Sequence, residues 1–136
     1  MSHEVLQPEG WPRPKGYANG IAASGRMVFT AGVVGWNEQE EFPYEDLAGQ
    51  FRQALVNTKA ILAEGGAEPS HIVRMTCYVT SKREYLNDAK EIGGAWRDVL
   101  GKVFPCMALV EVAALVEDKA KIEIETTAVI PERDDA

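Results

Sequence analysis

Apolar residues recur along this chain at two different spacings, and the changes from one to the other mark out its elements. Two short β-prone runs, residues 21–23 and 27–31, flank Ser24-Gly25-Arg26 and predict a hairpin. Residues 33–43 carry Gly, Asn and a run of Glu and Gln, which predicts a solvated loop in which Trp36 is out of place. Beyond Glu45 and Asp46, the positions Leu47, Phe51, Ala54, Leu55, Thr58, Ile61 and Leu62 follow at helical steps until Gly65-Gly66. This is the pattern of an amphipathic helix with an acidic start and a glycine stop.

The spacing then shortens. Over residues 72–80, Val73, Met75, Cys77 and Val79 alternate with Arg74, Thr76, Tyr78 and Thr80, which predicts a strand. Ser81 is placed to cap a second helix with a stripe of Tyr85, Ala89, Ile92, Trp96 and Val99, stopped by Gly101. Gly93-Gly94 costs that helix roughly 1 kcal/mol per glycine unless close packing requires them. Residues 104–115 and 120–130 predict two more strands, and the polar middle of Val116-Glu117-Asp118-Lys119 suits a tight connection between them. The second alternates Ala120, Ile122, Ile124, Thr126 and Ala128 with Lys121, Glu123, Glu125, Thr127 and Val129.

The predicted order is β-β-α-β-α-β-β in a single domain of the α+β class. Two helices cover one face of the sheet. The other face is left open, and apolar residues there call for a partner subunit.

Composition narrows the classes. At 136 residues, with 46% hydrophobic and 26% charged side chains, the chain suits one globular domain with its own core. A net charge of -7 opposes phosphate backbones, and Lys82-Arg83 is too short a basic patch to reverse that, so no nucleic-acid partner is expected. No apolar run nears the roughly 20 residues of a membrane span, and the first residues lack a signal-peptide pattern, so no membrane partner and a cytoplasmic location are expected. The polar or Pro-rich ends, through Gly10 and from Pro131, are expected to be loose or locally docked. Cys77 and Cys106 lie in apolar stretches without metal-ligand spacing, and two poorly placed histidines build no triad or metal site. No metal and no cofactor are therefore expected.

Several stretches, in order, carry a family resemblance. These are Gly16-Tyr17-Ala18-Asn19-Gly20, Val28-Phe29-Thr30-Ala31-Gly32, the helix with Gln53 and Asn57, and Phe104-Pro105 followed by Val110-Glu111-Val112-Ala113-Ala114-Leu115. Lys121-Ile122-Glu123-Ile124-Glu125 completes the set. From about Pro14 to Ile130 the chain resembles the RidA/YjgF family of enamine and imine deaminases. The resemblance implies a chorismate-mutase-like fold and a homotrimer, with sheets forming a central barrel and small-molecule clefts between subunits. It also implies hydrolysis of enamines and imines with release of ammonia.

In deaminating members an arginine two residues after the Phe-Pro pair clamps the substrate carboxylate through two parallel bonds. A glutamate of the last strand handles water, and an N-terminal tyrosine lines the cleft. By position these roles fall on Glu123 and Tyr17, but the arginine position holds Met107. Methionine has neither charge nor donor, a loss of about 2 to 5 kcal/mol in holding a bare carboxylate. The family's glutamine after the second-strand Gly is Val33 here, and its second-helix asparagine has no counterpart near Gly93.

Each candidate has a plainer alternative. Glu123 is either a solvated outward carboxylate or, in an apolar interface cleft, a general base with a raised pKa. Glu111 favours a structural role. Tyr17 is a turn aromatic or a hydroxyl that orients water, and Trp36 is a satellite-core residue or a flat wall for a planar ligand. Met107 is a packing residue or an adaptable wall for an apolar substrate. Ala31, Gly32 and Cys106 complete the candidate substrate-binding set. Arg26, Arg74 and Arg97 are surface residues or replacements for the lost charge.

The leading expectation is a hydrolase of an enamine or imine whose carboxylate is absent, masked, or held elsewhere, as in aromatic breakdown. Glu123 would activate water, with Tyr17 positioning it and Met107 and Trp36 as the wall. A non-catalytic metabolite sensor is the rival, and a ribonuclease or translation inhibitor is a third reading that the acidic charge opposes.

Overall fold

The computed structural model describes residues 3–132. It has short strands β1 (Glu4–Leu6), β2 (Gly20–Ala22), β3 (Gly25–Phe29) and β4 (Val33–Val34), then helix α1 (Leu47–Glu64) and a 3-10 turn at Pro69–His71. Strand β5 (Ile72–Val79), helices α2 (Lys82–Asn87) and α3 (Ala89–Val99), and strands β6 (Cys106–Glu111) and β7 (Ile122–Pro131) follow. The main sheet runs β3-β7-β5-β6 with β4 also on β7, and only β5 and β6 are parallel. It is an α+β fold in which the helices pack against a mixed sheet, as the patterning predicts.

Helix α1 starts where the Asp46 carboxylate accepts from Gly49 N at 3.1 Å and stops at Gly66, whose φ of +82° suits a residue without Cβ. Its buried stripe is Leu47, Phe51, Ala54, Leu55, Thr58 and Leu62, but Ile61 falls outside it and is exposed. Ser81 caps the next helix through Glu84 N at 3.1 Å. The predicted second helix breaks at Asp88, which ends α2 and begins α3.

Strand β7 is the centre of the sheet and keeps the predicted alternation: Ile122, Ile124, Thr126 and Ala128 are buried against the helices. On β5, an irregularity in pairing between Ile72 and Arg74 changes the predicted alternation, burying Ile72 rather than Val73.

Two expected pairings do not form. Strand β2 pairs with β1, which docks the N-terminal segment, while β3 pairs with β7. The turn signal at Gly25 has another cause: a Cβ there would lie 2.0 Å from the Ile130 carbonyl, so glycine permits close approach to β7. Nor do β6 and β7 form a hairpin, because β5 lies between them. Their connection passes the end of β5, where Val112 N donates to Val79 O at 2.8 Å and Thr80 N to Lys121 O at 3.1 Å. Among the described residues no helix is long and apolar enough to cross a membrane.

Gln50 ties that connection to α1. Only 1% exposed, its amide donates to Tyr44 O at 3.1 Å and Lys119 O at 2.9 Å, and its carbonyl accepts from Lys121 N at 2.8 Å. Lys121 Nζ in turn meets Glu84 Oε2 at 2.9 Å, and the same oxygen accepts from Leu47 N at 3.3 Å. Replacing Gln50 by Leu removes the partner of these three backbone groups. Gln50→Leu should lower unfolding free energy by about 2 to 4 kcal/mol in denaturant titration, despite its larger apolar side chain.

Candidate functional site

The chain before β2 is held against β6. Ala18 N donates to Pro105 O at 3.0 Å and Ala18 bridges to Cys106, which sets Tyr17, 42% exposed, beside the start of β6. On β6, Met107 pairs with Met75 and Leu109 with Cys77, so both face the helices. Between them and α3 lies a cleft of about 740 Å³, within the size range of small-molecule sites.

Its floor is apolar and aromatic. Phe51 and Trp96 stack with centroids 6.4 Å apart at 20°, and the Trp96 indole donates to Val103 O at 3.1 Å, which holds the ring in place. Ile92, Tyr85 and Met107 continue the surface, and burial raises the Tyr85 phenol above its ordinary pKa, with the neighbouring Cys77 adding to it. Lys15, Arg97 and Lys102 belong to the same lining, and no carboxylate does. Among the described residues the ion pairs are Arg52–Asp98 and Lys121–Glu84, so these three cations are unpaired.

Glu123 lies on the opposite face of the sheet. Its neighbours Ile122 and Ile124 point into the core, so the pleat turns Glu123 outward across from Tyr78. Its carboxylate rests on Gly32: a Cβ there would be 2.1 Å from Oε2. Tyr78 donates to Glu125 Oε1 at 2.6 Å, and this bond, with the nearby carboxylates, raises the Tyr78 phenol above its ordinary value. Met27 and Phe29 are exposed on β3 at 57% and 64%.

Trp36 occupies a third place. It tilts against Phe42 at 6.0 Å, its carbonyl accepts from Asn57 Nδ2 at 2.7 Å, and it lines a smaller cavity of about 350 Å³ with Ala31, Gly32 and Ile61. Asn57 also donates to Val34 O at 3.1 Å and accepts from Gln53 at 2.9 Å, so the Gln53–Asn57 spacing anchors this loop.

The sequence-derived candidates thus divide. Tyr17 and Met107 share the large cleft, Ala31, Gly32 and Trp36 share the small cavity, and Glu123 touches Gly32 across the sheet from Met107. One chain does not bring Trp36 and Met107 to a common wall. Cys106, next to Met107 in the strand, points to the other face from it. Of the arginines weighed as replacements for the lost charge, Arg97 lines the cleft; Arg26 instead donates to the Gly65 carbonyl. Lys15 escaped the sequence reading because nothing in its spacing links it to α3, and Lys102 because it falls just past the glycine that stops the helix. Among the described residues no three His, Cys, Asp or Glu side chains could hold a metal ion.

A mixed sheet with helices on one face and an aromatic, ligand-sized cleft beside its edge strand defines the protein as an α+β fold. Residues 12–130 match the family model described as endoribonuclease L-PSP, and the chain belongs to that family, the RidA/YjgF proteins. It is 34% identical over 116 residues to the 2-iminobutanoate/2-iminopropanoate deaminase of Escherichia coli, covering 83% of this chain and 86% of that one. The crystal structure of the Rid-family protein YyfB from Yersinia pestis superposes with a TM-score of 0.82 at 30% identity, covering 96% and 100% of the two chains. That of the Escherichia coli YjgF gene product gives 0.65 at 34% identity, covering 93% and 98%.

The cleft stands on a closed core. Burial pushes the Cys77 thiol up from 9.0 to about 12, so in the native protein it stays protonated and unreactive at pH 8. Its contribution to stability is fully present below about pH 9, where both states hold the proton, and is lost as pH rises toward 12. Denaturation between pH 9 and 12 should show less loss of stability in Cys77→Ala than in wild type. Iodoacetamide at pH 8 should modify Cys77 only after unfolding.

Proposed function

We propose that the protein hydrolyses reactive enamines or imines, with a specificity altered toward substrates that do not present a bare carboxylate to position 107. Two features support this reading: membership of a family whose relatives include 2-imino-acid deaminases, and a ligand-sized cleft in which Tyr17 and Met107 meet. In the reaction, water adds its oxygen to the iminium carbon while Glu123 takes its proton. Glu123 passes that proton to nitrogen, then takes the proton of the remaining hydroxyl as it collapses to a carbonyl, the C–N bond breaks, and ammonia leaves. No redox partner or cofactor is consumed.

Glu123 lies across the sheet from the cleft, so it reaches substrate only if a second copy brings its outer face to the first copy's cleft. The exposed Met27 and Phe29 on that face suit burial against such a copy, and a homotrimer with shared clefts meets the requirement. Tyr17 would then orient the water, Cys106 would line the junction, and Ala31 and Gly32 would arrive with Glu123. Trp36 would form part of the wall from the arriving subunit, opposite Met107.

Ammonia release is measured from imines generated in place by an amino-acid oxidase. Wild type should accelerate it, and Glu123→Gln should lose at least about a hundredfold, the usual scale for a positioned base. Gly32→Ala, which displaces the carboxylate, should lose a comparable factor with its fold intact by circular dichroism. Equal rates for wild type and Glu123→Gln would refute the role of Glu123. Tight ligand binding without turnover would point instead to a metabolite sensor.

A further inference from the structure

The cleft that holds Met107 combines features that the rest of this acidic surface lacks. Its mouth carries Lys15, Arg97 and Lys102, three cations with no lining carboxylate, on a chain of net charge -7. A local concentration of one sign beside a low-dielectric wall attracts and orients an oppositely charged ligand. The floor beneath is aromatic, with Phe51 and Trp96 stacked.

Gly93 links floor and rim. A Cβ built there would have a single neighbour within 4 Å, the Arg97 Nη1 at 4.0 Å, so the guanidinium extends back along α3 beside the gap that the missing side chain leaves. Lys102 follows Gly101, whose φ of +83° turns the chain at the end of α3. Arg97 and Lys102 therefore belong to the last turns of α3 and the residues after it, Lys15 comes from the segment before β2, and Met107 lies in the sheet strand β6.

We infer that this cleft selects an imino or enamino acid with an aromatic or similarly bulky apolar body, its carboxylate held at the mouth by Arg97 and Lys102 and its body lying over Trp96 and Met107. This rests on the hydrolase reading and refines it: the anion is held elsewhere, several residues from the position where relatives carry an arginine. A three-carbon imino acid cannot fill the aromatic floor and reach the cations together. A neutral aromatic fills the floor but leaves the cations without a partner.

The test is binding, which is independent of turnover. Full-length protein is titrated calorimetrically with phenylpyruvate, with pyruvate, and with 4-phenyl-2-butanone, which has a similar body and no charge. Phenylpyruvate should bind at least about tenfold more tightly than pyruvate, and Arg97→Ala and Lys102→Ala should each weaken it about three- to tenfold. Neither should change binding of the neutral ketone. Lys59→Ala, which removes the same charge from the exposed side of α1, should leave all three affinities unchanged. All three sites are surface side chains, and unchanged melting temperatures establish that the variants fold.

Phenylpyruvate affinity unaltered in the Arg97→Ala/Lys102→Ala double variant, or pyruvate binding as tightly as phenylpyruvate, overturns the inference. Absence of ammonia release with the cation dependence intact overturns the hydrolase reading and leaves the ligand class standing.

Discussion

The constraint on which the rest of this molecule depends is the two-residue period of β7. The strand pairs with β3, β4 and β5, so its pleat orients most of the sheet. Ile122, Ile124 and Ala128 fill the core beneath α1, and by the same alternation Glu123 and Glu125 must point the other way. A shift of one residue would bury two carboxylates and expose the isoleucines, so the core fixes where the acids stand. The close contact of Glu123 with Gly32 follows from that register, since β4 begins one residue later and pairs with Ile124 and Glu123.

The same geometry explains why Met107 and Glu123, proposed for binding and proton transfer, are far apart in one chain. Met107 is on the helix face through its register with Met75, and Glu123 is on the open face through its register with Tyr78. Under the proposed reading an active site is completed only by association, so catalysis and assembly would rest on one surface. A binding protein would need the cleft alone.

A methionine at position 107 does not leave the cleft uncharged. A guanidinium at position 107 would sit against the aromatic floor and pay a desolvation cost, recovered only with an anion directly beside it. Cations at the mouth remain hydrated when no ligand is bound, and they leave the floor free for apolar contact. The result is a site in which charge and apolar surface are arranged in sequence from mouth to floor, and both can select.

Much was legible in the residues themselves. The helical stripe of α1, its Asp46 start, the Ser81 cap and the alternation of β7 are local, because periodicity and capping act over one or two turns. The family membership was legible too, through ordered motifs, as was the departure from their pattern at Met107. Pairing partners were not: Gly25 looks the same whether it makes a turn or admits a neighbouring strand, and β6 could have folded back on β7 had β5 not been inserted between them. Nor could spacing show that Lys15 converges with Arg97 and Lys102, since it comes from a segment far from them in sequence. The sequence by itself determined which faces are apolar and which residues are candidates for chemistry, because those depend on residue type and on neighbours a few positions away. Only the tertiary structure decided which of those residues share a cavity, because that depends on contacts between distant parts of the chain.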